Sequence, residues 1–192
     1  CYLMFLGPWD QGGDWSDSGI NGIKRWLGRV WDVAGRDFSG LGESGDAEAE
    51  RSLERVSHAT TQRVITDMEA FKFNTSIAGL MEFTTALIHA HDAGKISVRS
   101  WRAGVERLLL HTAPLAPHIA EELWERTGHT GSIHLEMNPE FDEALHSPVG
   151  RHRGEAKVEH LGWPGRVFLA QRVFEPRGEG VGLRDAPAHR RR

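Results

Sequence analysis

The chain has 192 residues, of which 39% are hydrophobic, 26% charged and 8% aromatic. This composition excludes wholesale disorder and fits one domain with room for an appendage. No apolar stretch approaches the roughly 20 residues that cross a bilayer, no signal peptide opens the chain, and the single cysteine, Cys1, excludes an internal disulfide framework. A reducing, cytoplasmic setting is expected.

The net charge of −4 is unevenly spread. Residues 1–150 carry 13 Lys+Arg and 22 Asp+Glu, a balance of −9, whereas residues 151–192 carry 10 and 5, a balance of +5. Nucleic-acid contact from so acidic a body would have to come from local basic patches. The chain opens without Met, inside the apolar run Cys-Tyr-Leu-Met-Phe-Leu. It reads as a piece of a longer protein.

Residues 10–18 form a loop rich in Gly and Asp. Apolar residues then recur at Ile20, Ile23, Trp26, Leu27, Val30 and Trp31, the spacing of a helix with one buried stripe. Asp17 or Ser18 is the expected cap, because a short oxygen-bearing side chain bonds the free amides of a first turn. Residues 35–45 are rich in helix breakers. Asp46 precedes a long helix with Leu53, Val56, Val64, Ile65, Met68 and Phe71 on its inner face. Asn74 is expected to cap the next, which carries Ile77, Leu80, Met81, Leu87 and Ile88 and ends at Gly94. A fourth helix starts at Ser97 and carries Val98, Trp101, Val105, Leu108 and Leu109, with Pro114 limiting it. A short fifth begins near Pro117, which suits a first turn, and stops at Gly128. These five amphipathic helices predict an antiparallel bundle with one core. Residues 132–137 alternate and are expected to be extended, and the chain after residue 147 lacks sustained periodicity.

Most candidate chemistry has an ordinary explanation. His89 and His91 are two residues apart, so on a helix they point to different faces and cannot chelate together. Asp10, Asp14 and Asp17 lack the alternate-residue ligand spacing of a calcium loop and read as caps and turn formers. Gly178, Gly180 and Gly182 lack the final glycine of a phosphate-cradling motif. Cys1 as an N-terminal nucleophile would need to be exposed by processing. Lys24, Arg25 and Arg29 lie on the polar side of the first long helix, and Lys72, Arg99, Arg102 and Arg107 add positive charge that could touch phosphates. Trp9, Trp15, Trp26 and Trp31 are expected to be packing residues.

Four strings carry a family resemblance. Residues 2–20, Tyr-Leu-Met-Phe-Leu-Gly-Pro-Trp-Asp-Gln-Gly-Gly-Asp-Trp-Ser-Asp-Ser-Gly-Ile, resemble the leucyl-tRNA synthetase family just downstream of its Lys-Met-Ser-Lys-Ser loop. Gly-Ile-Lys-Arg-Trp-Leu-Gly-Arg-Val-Trp at 22–31, Phe-Asn-Thr-Ser-Ile-Ala-Gly-Leu-Met-Glu-Phe at 73–83 and Leu-Ala-Pro-His-Ile-Ala-Glu-Glu-Leu-Trp-Glu-Arg at 115–126 are similar to three helices of its bundle. The last two strings also occur in other class I synthetases.

The resemblance implies a mainly α fold, an antiparallel helix bundle of the class I anticodon-binding type with an irregular C-terminal tail. It divides the chain into a junction at 1–18, a tRNA-binding bundle at 19–145 and a basic tail at 146–192. The implied enzyme joins leucine to its tRNA using ATP and magnesium, acts as a monomer and is not a membrane protein. Its catalytic domain would lie upstream, so no catalytic, cofactor or metal residue is assigned here, and this stretch alone would only position leucine-specific tRNA. Lys24, Arg25, Arg29 and Lys72 are the candidate tRNA-side residues. The tail lacks the family's usual continuation, which suggests a slipped reading frame, a fragmentary gene or a disordered end. The alternatives are the same region of an isoleucyl, valyl or methionyl enzyme, a free-standing helical adaptor, or an N-terminal-cysteine hydrolase.

Overall fold

The computed structural model describes residues 1–11 and 13–146. The expected basic tail falls outside the described residues, apart from its first position. Seven α-helices are present among the described residues: α1 (Tyr2–Phe5), α2 (Asp17–Ala34), α3 (Ala47–Glu69), α4 (Phe73–Asp92), α5 (Val98–Thr112), α6 (Pro117–Arg126) and α7 (Glu143–His146). The five long ones, α2 to α6, correspond to the five read from periodicity.

Three helix starts follow from their residues. Asp46 accepts from the backbone N–H groups of Glu48 and Ala49 at the start of α3. Ser97 Oγ accepts from Ser100 N–H at the start of α5. Pro117 occupies the first turn of α6, where its missing N–H has no partner to lose. Gly94 and Gly128 take φ of +64° and +95° as the chain leaves α4 and α6, a region open to glycine without a Cβ clash.

Two caps differ from expectation. Ser16, not Asp17 or Ser18, caps α2: its Oγ accepts from Gly19 N–H at 3.3 Å. Tyr2 fixes that cap from outside, its hydroxyl donating to Ser16 O at 2.7 Å. Asn74 lies inside α4, whose N-cap is Lys72 with no side-chain cap bond. The chain enters α4 through Phe71, which has φ of 56°. The extended stretch expected at 132–137 is interrupted in its middle, with Ser132 and Glu136 keeping extended dihedrals on either side. Ile133–Leu135 form a 3-10 turn, because Ser132 Oγ accepts from His134 N–H while Glu121 Oε2 holds the Ser132 hydroxyl and Ile133 N–H.

Packing sets the direction of each helix. Successive long helices run antiparallel, so α2, α4 and α6 point one way. Trp26 meets Thr84, Arg29 meets Thr85 and Arg36 meets Asp92, an advancing series that makes α2 and α4 parallel neighbours. α4 sits centrally, touching α1, α2, α3 and α5. Its Ile77, Leu80, Phe83 and Leu87 are fully buried against Trp101, Leu108 and Leu109 of α5 and Val30 of α2. Each such side chain contributes about 1.5–3 kcal/mol of apolar burial. The inner face of α3 is more polar than its periodicity suggests. Leu53 and Val64 are buried with Ser57, Thr60 and Thr61 between them, and Phe71 beyond its end is exposed.

Candidate nucleic-acid interface

α2 carries three of the four candidate cations, and the structure separates them. Arg25 and Arg29 are one turn apart and share a flank, whereas Lys24 lies about 100° and 140° around the helix from them. Lys24 and Arg25 are exposed, and neither has an ion-pair partner among the described residues. Arg29 leans onto α4, where its Nη2 donates to Thr85 Oγ1 at 2.6 Å. That bond holds the guanidinium at the seam between α2 and α4, and its other N–H groups have no hydrogen-bond partner among the described residues.

Lys72 is also exposed, but it lies at the N-terminal end of α4. Twelve residues of helix separate it from the level of Thr84 and Trp26, a distance of about 18 Å. The four cations are therefore not one patch. Arg25 and Arg29 form a pair, Lys24 stands on the other flank, and Lys72 stands apart along the bundle.

The further arginines divide by environment. Arg107 is a structural residue: its Nη1 donates to buried Thr61 Oγ1 at 2.7 Å and to Glu140 O at 2.9 Å. Burial pulls its pKa below the usual arginine value, with Glu54 opposing the shift. Arg102 lies 4.8 Å from the Phe38 ring centroid, over its face, and Arg99 is exposed on α5.

Aromatic side chains are the features that sequence reasoning misplaced. Of the four tryptophans expected to pack, only Trp26 is buried; Trp9, Trp15 and Trp31 are 66%, 61% and 37% exposed. Trp9 and Phe71 each meet Phe73 edge-on, with ring centroids 5.6 and 5.8 Å apart, so three rings adjoin one another where Lys72 stands between Phe71 and Phe73 in sequence. The sequence Phe71-Lys72-Phe73 held the signal, two rings around one cation, but not which rings reach solvent. Asp10 and Glu69 are exposed beside this ridge in sequence, so it is not a basic surface.

On the Lys24 flank, Ile20, Leu27 and Trp31 of α2 and Ile119 of α6 line an open apolar groove. Ile20, expected in the buried stripe, is 41% exposed there. Arg126 of α6 lies over Trp31, 4.8 Å from its ring centroid, and is held by Glu122 at 2.7 Å. No group of three or more His, Cys, Asp or Glu side chains among the described residues is arranged to hold a metal ion. No described helix is long and apolar enough to cross a membrane.

Comparison with known proteins places this geometry. Residues 50–162 match the family described as the anticodon-binding domain of tRNA ligase. The leucine–tRNA ligase of Dehalococcoides mccartyi strain 195 is 44% identical over 145 residues, covering 76% of this chain and 18% of that protein. Those of Herpetosiphon aurantiacus and Rubrobacter xylanophilus are 44% and 45% identical over 144 and 147 residues, covering 75% and 76% of this chain and 17% of each relative. The chain thus spans less than a fifth of the curated relatives it matches.

Among solved structures, it resembles the LeuRS of Agrobacterium radiobacter K84 agnB2 in a ternary complex with tRNA and LeuAMS. The TM-score is 0.64 at 28% identity, covering 77% of this chain and 20% of that one. The family match extends over more than half of the chain, and the helices it includes carry the bundle's central core. The chain belongs to the anticodon-binding domain family of tRNA ligases.

Proposed function

We propose that this chain is the tRNA-positioning bundle of a leucine–tRNA ligase. The enzyme would join leucine to its tRNA in the cytoplasm, as a monomer, with ATP and magnesium handled by parts outside this stretch. The bundle's task is placement. Catalysis is steep in distance, and a misplacement of about 1 Å can cost on the order of a hundredfold in rate.

The observation that carries this reading is the set of cations along α2: Lys24 and Arg25 are exposed on two flanks without an ion-pair partner among the described residues, and half-buried Arg29, beside Arg25, is oriented by Thr85. Cations without a carboxylate partner on an otherwise acidic body suit an RNA backbone, because phosphate contacts fix position without reading sequence. Lys72 supplies a separate contact further along the bundle. The leucine specificity rests on the relatives, all of those cited being leucine–tRNA ligases.

The test pairs two assays on the 192-residue chain. It should bind leucine tRNA and show no leucine-dependent pyrophosphate exchange with ATP. Exchange activity from the chain, or no tRNA binding by the folded chain, would overturn the reading.

A further inference from the structure

The last described residues are fastened to the side of the bundle at two points. Asp142 precedes α7, and its Oδ1 accepts from Ala144 N–H at 2.8 Å. Its own backbone N–H donates to His58 Nδ1 on α3 at 2.9 Å. Two residues earlier, Glu140 O accepts from Arg107 Nη1 of α5. α7 lies against α3.

The two fasteners differ in kind. Arg107 keeps its proton at any ordinary pH, so its bond to Glu140 is unconditional. The bond at His58 is conditional. A backbone N–H can only donate, so Nδ1 must present a lone pair, and the ring holds its single proton on Nε2. Adding a proton turns Nδ1 into a donor and sets donor against donor.

We infer that His58 is a proton-operated clasp for residues 140–146. Neutral His58 holds the Asp142 amide and keeps α7 seated along α3. Protonated His58 releases that amide, while Arg107 retains Glu140.

The groups facing the ring act in both directions. Partial burial and the Arg107 guanidinium disfavour its charged form; Glu54 on α3 and the Asp142 carboxylate favour it. The first pair prevails, so the ring stays neutral to below the usual histidine range. The Asp142 carboxylate can also turn to a protonated ring, but doing so gives up its bond to Ala144 N–H, so α7 loses an anchor on that route too. The clasp is independent of the tRNA reading, since it rests on α3, α5 and residues 140–146 alone.

Amide hydrogen exchange by NMR on the whole chain tests it, with the His58 ring signals followed across the same pH series. Protection of the Asp142 amide, corrected for intrinsic exchange, should fall about tenfold as His58 titrates, the equivalent of one net hydrogen bond. His58→Asn puts a non-titrating carbonyl oxygen close to the place of Nδ1 and should make the protection flat with pH. His58→Phe keeps a ring without an acceptor and should lower the protection at every pH. The Leu108 amide in the core reports global folding in each variant. Asp142 protection that ignores the titration of His58 in the unaltered chain would overturn the inference, as would a folded His58→Phe chain matching it. The pH series on the unaltered chain decides the matter if a variant fails to fold.

Discussion

Trp26 Nε1 of α2 donates to Thr84 Oγ1 of α4 at 3.1 Å, and the Thr84 hydroxyl passes its own proton to Leu80 O at 2.7 Å. Both side chains are buried, so this is the polar link at the centre of the α2–α4 seam. Thr84→Val keeps the shape and strands the indole N–H. The expected loss is about 1–3 kcal/mol in urea denaturation, because an orphaned buried donor carries its full desolvation cost. Thr112 supplies the control. Its hydroxyl bonds to Leu108 O of its own helix at 2.7 Å, so Thr112→Val should cost less than about 1 kcal/mol.

Acid should weaken the fold through His111. This ring is 2% exposed, its Nε2 lies 3.0 Å from Thr61 Oγ1, and burial, with the Arg107 charge second, lowers its pKa to about 4. The unfolded chain then binds a proton that the folded chain refuses. His111 therefore leaves stability intact above the unfolded value of 6.5 and erodes it progressively down to about pH 4. The loss is on the order of 3 kcal/mol. His58 adds a smaller slope of the same sign, being lowered by burial and Arg107. Denaturation midpoints measured between pH 4 and 7 check this, and His111→Gln should flatten most of the dependence.

Gly104 is required by packing. A Cβ there would stand 2.6 Å from Leu87 Cδ2, and Leu87 is fully buried. Gly104→Ala must push Leu87 off its place, and about 1–3 kcal/mol of destabilisation is expected from overpacking. A thermal melt is sufficient to see it. By contrast, Gly28 has open space where its Cβ would go, so Gly28→Ala should be neutral or stabilising by up to about 1 kcal/mol.

How much was legible in the sequence depended on whether the signal was local. The caps Asp46 and Ser97, Pro117 in a first turn, and the left-handed Gly94 and Gly128 are local and were readable. The start of α4 was not. Asn74 has a capping side chain, but Phe71 turns the chain earlier, where its ring and Trp9 both meet Phe73. The turn at Ile133–Leu135 was hidden for the same reason, since Glu121 in another element holds it.

The candidate site was legible by residue type and not by grouping. Lys24 and Arg25 are exposed cations, as their position opposite Ile23 and Val30 implied. Arg107 looks the same in sequence, yet it is half-buried and its Nη1 is bonded to Thr61 and Glu140. Trp31 recurs with the inner stripe, but α6 covers it only partly. In each case the outcome is set by a partner far along the chain, which helical periodicity does not encode.

The central claim is that α2 meets RNA through its cations, and the salt dependence of leucine-tRNA binding tests it most directly. Log affinity should fall linearly with log salt concentration, and the Lys24→Ala, Arg25→Ala double variant should bind more weakly with a slope shallower by about one for each contact removed. A double variant with the affinity and slope of the unaltered chain would contradict the account, as would binding indifferent to ionic strength.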